Sequence, residues 1–463
     1  MKRTTDMTVG SPTKHLLIFA LPLIVTNLGQ QLYMIVDAAI VGRGVGVQAL
    51  AAVGATDWIY WLILWTVTGM TQGVSTYVSR YFGDKNYGDM NKSIAMCTLL
   101  CGAVGGVLTV AGLMMAKPLL LLLNTPDDIL NGATTYLFTM IAGTLVVAAY
   151  NMAASVLRAL GDGKTPLIAM GIAALLNVGL DLLFVLVFHM GILGAALASV
   201  LSQLVSFVFC FIRIRKIDCV RLNKETWRVD WKMMRSLFAF GMPLALEFIV
   251  IALGGIILQS AINLQGSTFI AGYTATNKVY GLLESSAISL GVAASTFLAQ
   301  NYGAGKYDRV KKGVWTSTVI VLLMSVVVSG VMYLARDPFM KLFMDEQETG
   351  GAEAHAIAVY YLTILCVCLS VLYLLHIFRN ALQAIGISVW SMLSGVAEFA
   401  ARVVMSKWVI DFMGSDALFV AEPVAWLAAL IFVLIPYVYY HRKYLSRACQ
   451  KSDLRTNTAD EFV

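Results

Sequence analysis

Long apolar runs alternate with short polar connectors along the chain, and this alternation predicts its elements. Runs of about 20 or more apolar residues suit α-helices that cross ~30 Å of hydrocarbon. Twelve such spans are expected, at 15–41, 49–80, 91–116, 129–157, 165–189, 192–214, 234–263, 268–300, 310–335, 355–383, 388–411 and 418–441. Too little chain remains outside them for a soluble domain. The longest connector, around 215–233, is polar and basic (RKIDCVRLNKETWRVDWK). It makes residues 1–215 a first six-helix bundle, 216–233 a linker, 234–441 a second six-helix bundle and 442–463 a tail.

Composition agrees with the pattern. Apolar residues make up 59% of the chain and charged residues 13%, against about a quarter charged in soluble domains; mean hydropathy is +0.77. The basic residues then set an orientation. The amino terminus, the even-to-odd connectors and the tail hold 26 of the 33 Lys and Arg. The opposite connectors hold Arg43, Lys117, Arg336 and Lys341, and Lys278, Arg402 and Lys407 fall inside spans. By the positive-inside rule both termini and the linker are cytoplasmic, and the number of spans is even. The net charge of +6 follows from this topology and does not indicate nucleic acid. The amino-terminal apolar stretch runs past the length of a signal peptide and contains Gln30, Gln31 and Asp37, so it reads as a retained first helix. The seven cysteines are scattered and imply neither a disulfide framework nor a metal site.

The chain repeats itself. STYVSRYFGDKNY (75–87) in span 2 aligns without a gap with STFLAQNYGAGKY (295–307) in span 8, at an offset of 220. FALPL (19–23) aligns with FGMPL (240–244) at 221, and RALG (158–161) with QAIG (383–386). Matches in the same order at nearly constant offset indicate parallel repeats. The expected fold is therefore an all-α polytopic membrane protein with twelve transmembrane helices in two parallel-repeat six-helix bundles around a central cleft. Secondary transporters commonly bind substrate between such halves, with access alternating as they rock. Pro22 and Pro243, at matching positions, each remove a backbone hydrogen bond and should bend their helices.

Ionisable residues inside the membrane cost about 2.5–3.5 kcal/mol each on insertion scales, so each is a candidate site. The first half offers Asp37 and Asp181 with no basic residue in its spans; the second offers Glu247, Glu284 and Glu398 with Lys278 and Arg402 as possible partners. At ~1.5 Å per residue, Asp37 lies roughly 8 Å and Asp181 roughly 12 Å from the outer ends of their spans, and Ser199 and Tyr136 fall at about the same depth. Thr26, Gln30, Tyr33 and Asp37 form one polar stripe on span 1, and Asn177 and Asp181 share a face of span 5. Two carboxylates without a basic partner do not both ionise cheaply in a low dielectric, so the pair is expected to hold a proton or attract a cation. Carboxylate, amide and hydroxyl oxygens suit a hard cation. Asp37 and Asp181, helped by Asn177 and Ser199, are therefore expected to bind the driving H⁺ or Na⁺. On span 11, Glu398 and Arg402 stand four apart and neutralise each other.

These residues resemble the multidrug and toxic compound extrusion (MATE) family. The resemblance rests on ALPLIVTNLGQQLYMIVDAAIVG in span 1, the Asn177-x-x-x-Asp181 pair, the repeated ST…G…Y span ends, LRALGDGKTP (157–166) and NYGAGKYDRVKKG (301–313). The first-half acids are similar to those of its DinF-like branch. The resemblance implies an antiporter, acting as a monomer in the lipid, that exports bulky and often cationic drug-like compounds on an inward Na⁺ or H⁺ gradient without a further cofactor. It implies Asp37, Asn177 and Asp181 as the first-half cation site, a possible Na⁺ site, with Ser199 and Tyr136 in the places of a span 6 hydroxyl and a span 4 tyrosine. The span 10 Asp of another branch is missing; His376 and Asn380 are what that span offers. Gln30, Tyr33, Met34, Trp61, Trp65 and Met70, with the charged Glu247, Lys278, Glu398 and Arg402, are candidates for the substrate cleft.

Rival classes match these residues less well. A lipid-linked saccharide flippase shares the architecture, but such proteins often present several cations to a pyrophosphate, and here only Lys278 and Arg402 are in view, each with a possible acidic partner. An intramembrane enzyme is not supported: no H-E-x-x-H, G-x-G-D or G-x-S-x-G motif occurs. Gly163-Lys164-Thr165 lacks the glycine a P-loop requires six residues before its lysine, where Arg158 stands.

Overall fold

The computed structural model describes residues 4–123, 125–341 and 350–445. Among these residues the regular structure is entirely helical, in the order expected. The first repeat contains α1 (Pro12–Gly44), α2 (Val47–Gly83), α3 (Tyr87–Leu122), α4 (Asp127–Ala142), α5 (Thr144–Ala159), α6 (Lys164–Asp181) and α7 (Gly191–Ile214). The second contains α8 (Trp231–Asn263), α9 (Ser267–Gly303), α10 (Tyr307–Met340), α11 (Gly351–Ala384), α12 (Ser388–Val404), α13 (Ile410–Met413) and α14 (Asp416–Tyr440). Eight of these helices are long and apolar enough to cross a membrane, nine if the bent pair α4–α5 is one span. Their outer faces are those of lipid-exposed rods. On α10, Leu323, Val326, Val327 and Leu334 are 63–82% exposed, an arrangement water would penalise and hydrocarbon does not. The chain is a multi-pass membrane protein.

Three expected spans are irregular. Span 4 bends by 45° between α4 and α5 at Gly143. A Cβ on Gly143 would lie 2.4 Å from Val200 Cγ2 of α7, so only glycine permits this approach, and a glycine in mid-helix also lowers the cost of a bend. Spans 5 and 11 each widen into a π-helical turn, at Leu182–Val187 after α6 and at Met405–Val409 after α12. Such turns leave carbonyl groups out of the regular ladder and occur often at functional sites.

The chain divides into two compact units, Met1–Asp6 with Leu21–Leu246 and Met7–Ala20 with Glu247–Val463. The divisions fall inside α1 and α8, beside Pro22 and just beyond Pro243. In the first unit α2 meets the start of α8 backbone to backbone. A Cβ on Gly69 would be 2.6 Å from Ala245 Cα, and one on Gly73 would be 2.9 Å from Gly241 Cα. The two small-x-x-x-small stripes thus interlock, the usual route to close helix packing in lipid. The segment after α7 is fastened to the same unit. Asn91 of α3 donates to the Cys219 carbonyl and accepts from the Arg221 N–H, and Lys92 pairs with Asp230 at 2.6 Å. Asp230 lies in this polar segment, and its hydrogen bond with Lys92 holds its carboxyl below the usual carboxylate range.

In the second unit, α9 and α11 form a tight pair. A Cβ on Gly272 would lie 2.5 Å from the Ala354 carbonyl. Tyr273 and Tyr361 stack at 4.4 Å and share a hydroxyl hydrogen bond of 3.0 Å, and Tyr373 donates to the Leu283 carbonyl. Each of these three buried tyrosine hydroxyls therefore has a partner, which low-dielectric surroundings require. The described cysteines, Cys97, Cys101, Cys210, Cys219, Cys366 and Cys368, are all free.

Candidate cation-coupling site

In the first unit α1, α6 and α7 bring together four of the expected residues. Asp181 and Asn177 are fully buried and Ser199 is 7% exposed. The carboxyls of Asp37 and Asp181 lie within hydrogen-bonding reach of each other. With its amide nitrogen facing Asp181, Asn177 donates to Oδ2 at 2.7 Å and its oxygen accepts from the Ser199 N–H at 3.2 Å. The Ser199 hydroxyl lies 3.4 Å from the same amide. The first oxygen (Oδ1) of each carboxyl, Asp37 and Asp181, is buried without a hydrogen-bond partner. Among the described residues neither acid has a basic side chain as partner.

This arrangement has a direct chemical consequence. An ionised carboxylate only accepts hydrogen bonds. Two carboxyls in contact therefore need a proton between them, or a cation, and the two orphaned oxygens are where either would be held. The donor set of two carboxylates with a hydroxyl nearby also fits a small hard cation. Among the described residues no group of three or more His, Cys, Asp or Glu side chains forms a metal site. The π turn begins at the residue after Asp181, which places the acid where the helix already departs from regular bonding.

Tyr136 is buried on α4 among Met140, Ala196 and the partly buried Val53, Tyr60, Ile192 and Val200. Of the cleft candidates in the first half, Gln30 is half-buried. Trp61 and Trp65 contact one another at 5.5 Å. Met70 is 3% exposed in the core of the first unit, against Gly241. The side chains of Tyr33 and Met34 lie outside the described ones.

The second unit differs in a way the sequence does not announce. Glu247 of α8, Arg379 of α11, Glu398 and Arg402 of α12 and Glu422 of α14 form one ladder. Arg379 contacts Glu247 Oε1 at 2.9 Å and Glu398 Oε1 at 2.6 Å. Arg402 sits 3.5 Å from Glu398 and grips Glu422 with two hydrogen bonds of 3.1 and 2.8 Å. Arg379 Nε also donates to Ser394 Oγ, and Arg402 Nη1 to the Ile251 carbonyl. Glu247, Arg379, Glu398 and Arg402 are each less than 8% exposed. The partner of Glu247 is thus Arg379 rather than Lys278, which is exposed and makes no ion pair among the described residues. Arg402 is engaged mainly by Glu422, so Glu398 and Arg402 are no self-contained pair. Glu284 lies 3.9 Å from His376.

The two clusters occupy equivalent places in the repeat. The 225-residue offset that pairs RALG (158–161) with QAIG (383–386) pairs Asn177 with Arg402 and Asp181 with Ser406, and each cluster adjoins a π turn. One frame therefore carries an acid-only pair in the first unit and a charge-compensated ladder in the second.

A family model described as MatE matches the chain twice, over residues 22–183 and again over 243–408, beginning at those two prolines. The chain belongs to the MATE family. A MATE relative from Bacillus subtilis (strain 168), called probable multidrug resistance protein YpnP, is 31% identical over 306 residues, covering 66% of this chain and 68% of that protein. Multidrug export protein MepA of Staphylococcus saprophyticus is 22% identical over 433 residues, covering 92% of this chain and 94% of its own. Among solved structures, a MOP superfamily transporter from Pyrococcus furiosus superposes with a TM-score of 0.87 at 20% identity, over 96% of this chain and 99% of that one. That likeness shows a MATE fold. The Gly163-Lys164-Thr165 stretch has a structural role in this MATE protein: Asp162 accepts from the Thr165 N–H and hydroxyl and caps α6.

Proposed function

We propose that the chain is a cation-coupled antiporter that exports bulky, drug-like and often cationic compounds by alternating access. It would work in the cell membrane of a bacterium or archaeon, with both termini cytoplasmic. The observation that carries the coupling is the contact between the carboxyls of half-buried Asp37 and buried Asp181, each with a buried Oδ1 and, among the described residues, no basic partner. Family membership and relatives named for multidrug resistance support the cargo. The carboxyl-to-carboxyl contact, with Asn177 donating to Asp181, favours H⁺ as the ion; Na⁺ would use the same oxygens with the amide reversed.

The exchange follows from linkage. If cation binding at the acid pair disfavours the drug-bound arrangement of the first unit, drug must weaken cation binding by the same factor. The cation gradient then drives drug outward. The flippase alternative has less support: the buried Arg379 and Arg402 face three carboxylates, so the ladder has no spare positive charge for a pyrophosphate. The test is uptake of a fluorescent organic cation into everted vesicles, with a pH or a Na⁺ gradient imposed separately. Uptake driven by the pH gradient supports proton antiport, and uptake driven by Na⁺ alone moves the ion to Na⁺. Folded protein that responds to neither gradient with any of a panel of organic cations would overturn antiport.

A further inference from the structure

Outside the coupling site, the second unit has a pocket of about 260 Å³ where the start of α10 meets the ends of α11 and α14. Its floor is aromatic. Phe378 and Tyr437 pack edge to face at 5.1 Å, and Tyr437 lies 5.9 Å from the His441 ring. Its rim is basic, formed by Lys311 and Arg442, and among the described residues neither has an ion-pair partner. Trp315, 71% exposed, forms one wall. Beyond it the lipid-facing ridge of α10 continues through Leu322, Leu323, Val326 and Val327. Two uncompensated cations at the polar mouth of an aromatic pocket, open onto an apolar ridge, match one kind of molecule. It has an anionic head and a long apolar tail attached to it.

We propose that this pocket binds the headgroup of an anionic glycerophospholipid. Its phosphodiester lies between Lys311 and Arg442, and its acyl chains run along Trp315 and the α10 ridge. Charge complementarity selects an anionic lipid over a zwitterionic one, because a choline group would add a third cation to the rim. Basic residues at a membrane surface attract anionic lipid by about 1 kcal/mol each. Removing two is therefore expected to weaken binding about thirtyfold.

The experiment is native mass spectrometry of the purified full chain in detergent, titrated with phosphatidylglycerol, phosphatidylcholine or free sn-glycerol 3-phosphate. The expected result is saturable phosphatidylglycerol binding in preference to phosphatidylcholine, reduced about thirtyfold in Lys311→Gln/Arg442→Gln. The matched control, Lys216→Gln/Arg228→Gln, removes two exposed charges from the segment between α7 and α8 and should leave binding unchanged. Trp315→Ala should weaken the lipid without creating a preference for phosphatidylcholine. Wild-type binding in Lys311→Gln/Arg442→Gln would overturn the proposal. So would an equal loss in the control pair, which would mean diffuse attraction to basic surface. Displacement of the lipid by equimolar glycerol phosphate would also overturn it, since the pocket would then be a phosphate site with no use for the acyl chains.

Discussion

Replacing Arg379 by Met tests the second-unit ladder most sharply, because the ladder's members do not depend on it equally. Glu247 is 3% exposed, and among the described residues Arg379 is the one arginine or lysine that pairs with it. Glu398 is as deeply buried and keeps Arg402 at 3.5 Å when Arg379 is lost. At a separation of 2.9 Å the attraction between Arg379 and Glu247 is about 6 kcal/mol at an effective dielectric constant near 20. Breaking a buried pair by deleting one partner typically costs about 3–5 kcal/mol, since a charge is left unmatched. Arg379→Met should therefore destabilise by about that amount. Adding Glu247→Gln should recover more than half of the loss, whereas adding Glu398→Gln should recover less and strand Arg379's neighbour Arg402 on Glu422 alone. The assay is thermal unfolding of purified protein in detergent with a thiol-reactive dye, which suits a chain whose Cys97, Cys101, Cys210 and Cys366 are buried until it opens. Unchanged stability of Arg379→Met, or better rescue by Glu398→Gln than by Glu247→Gln, would refute this reading of the ladder.

Two further outcomes follow from packing and capping. Gly69→Ala, whose new Cβ would fall 2.6 Å from the backbone of Ala245, should destabilise by about 1–3 kcal/mol; Gly102→Ala, with nothing within 4 Å, should be neutral or slightly stabilising in the same unfolding assay. Asp162→Ala removes both hydrogen bonds that cap α6 and the contact with Arg213 at 3.7 Å. It should cost about 1 kcal/mol, with Asp162→Asn recovering part of it.

Much of this molecule is legible in its sequence, for a physical reason. Lipid admits few backbone solutions, so the apolar runs translate into helices within a few residues, and the paired prolines mark where the repeat begins. The Asn177-x-x-x-Asp181 spacing places both side chains on one face without any knowledge of neighbours. What sequence does not reveal is pairing between distant helices. Arg379 counts with the cytoplasmic basic residues in a positive-inside reading, because it lies within a turn or two of the end of its span; its burial between Glu247 and Glu398 depends on how α8, α11 and α12 pack. Glu422 lies near the start of span 12, where an acid attracts no notice until Arg402 is seen to grip it. One signal was available: the 225-residue offset that sets QAIG on RALG also sets Arg402 on Asn177, so a second polar cluster at that level was readable. The bend in span 4 has Gly143 as its local mark, but the close approach of Val200 that fixes it comes from α7.

The central claim is that the acid pair exchanges its cation for drug, and the most direct measurement is the cation released when drug binds. Purified protein in weakly buffered detergent, with a pH-sensitive dye present, would be mixed with a saturating organic cation, for wild type, Asp37→Asn and Asp181→Asn. The account predicts proton release on drug addition by wild type, or release of bound ²²Na⁺ if Na⁺ is the ion, and its loss in both variants while drug still binds. Drug binding that releases neither ion from wild type, or release that persists in Asp181→Asn, would contradict it.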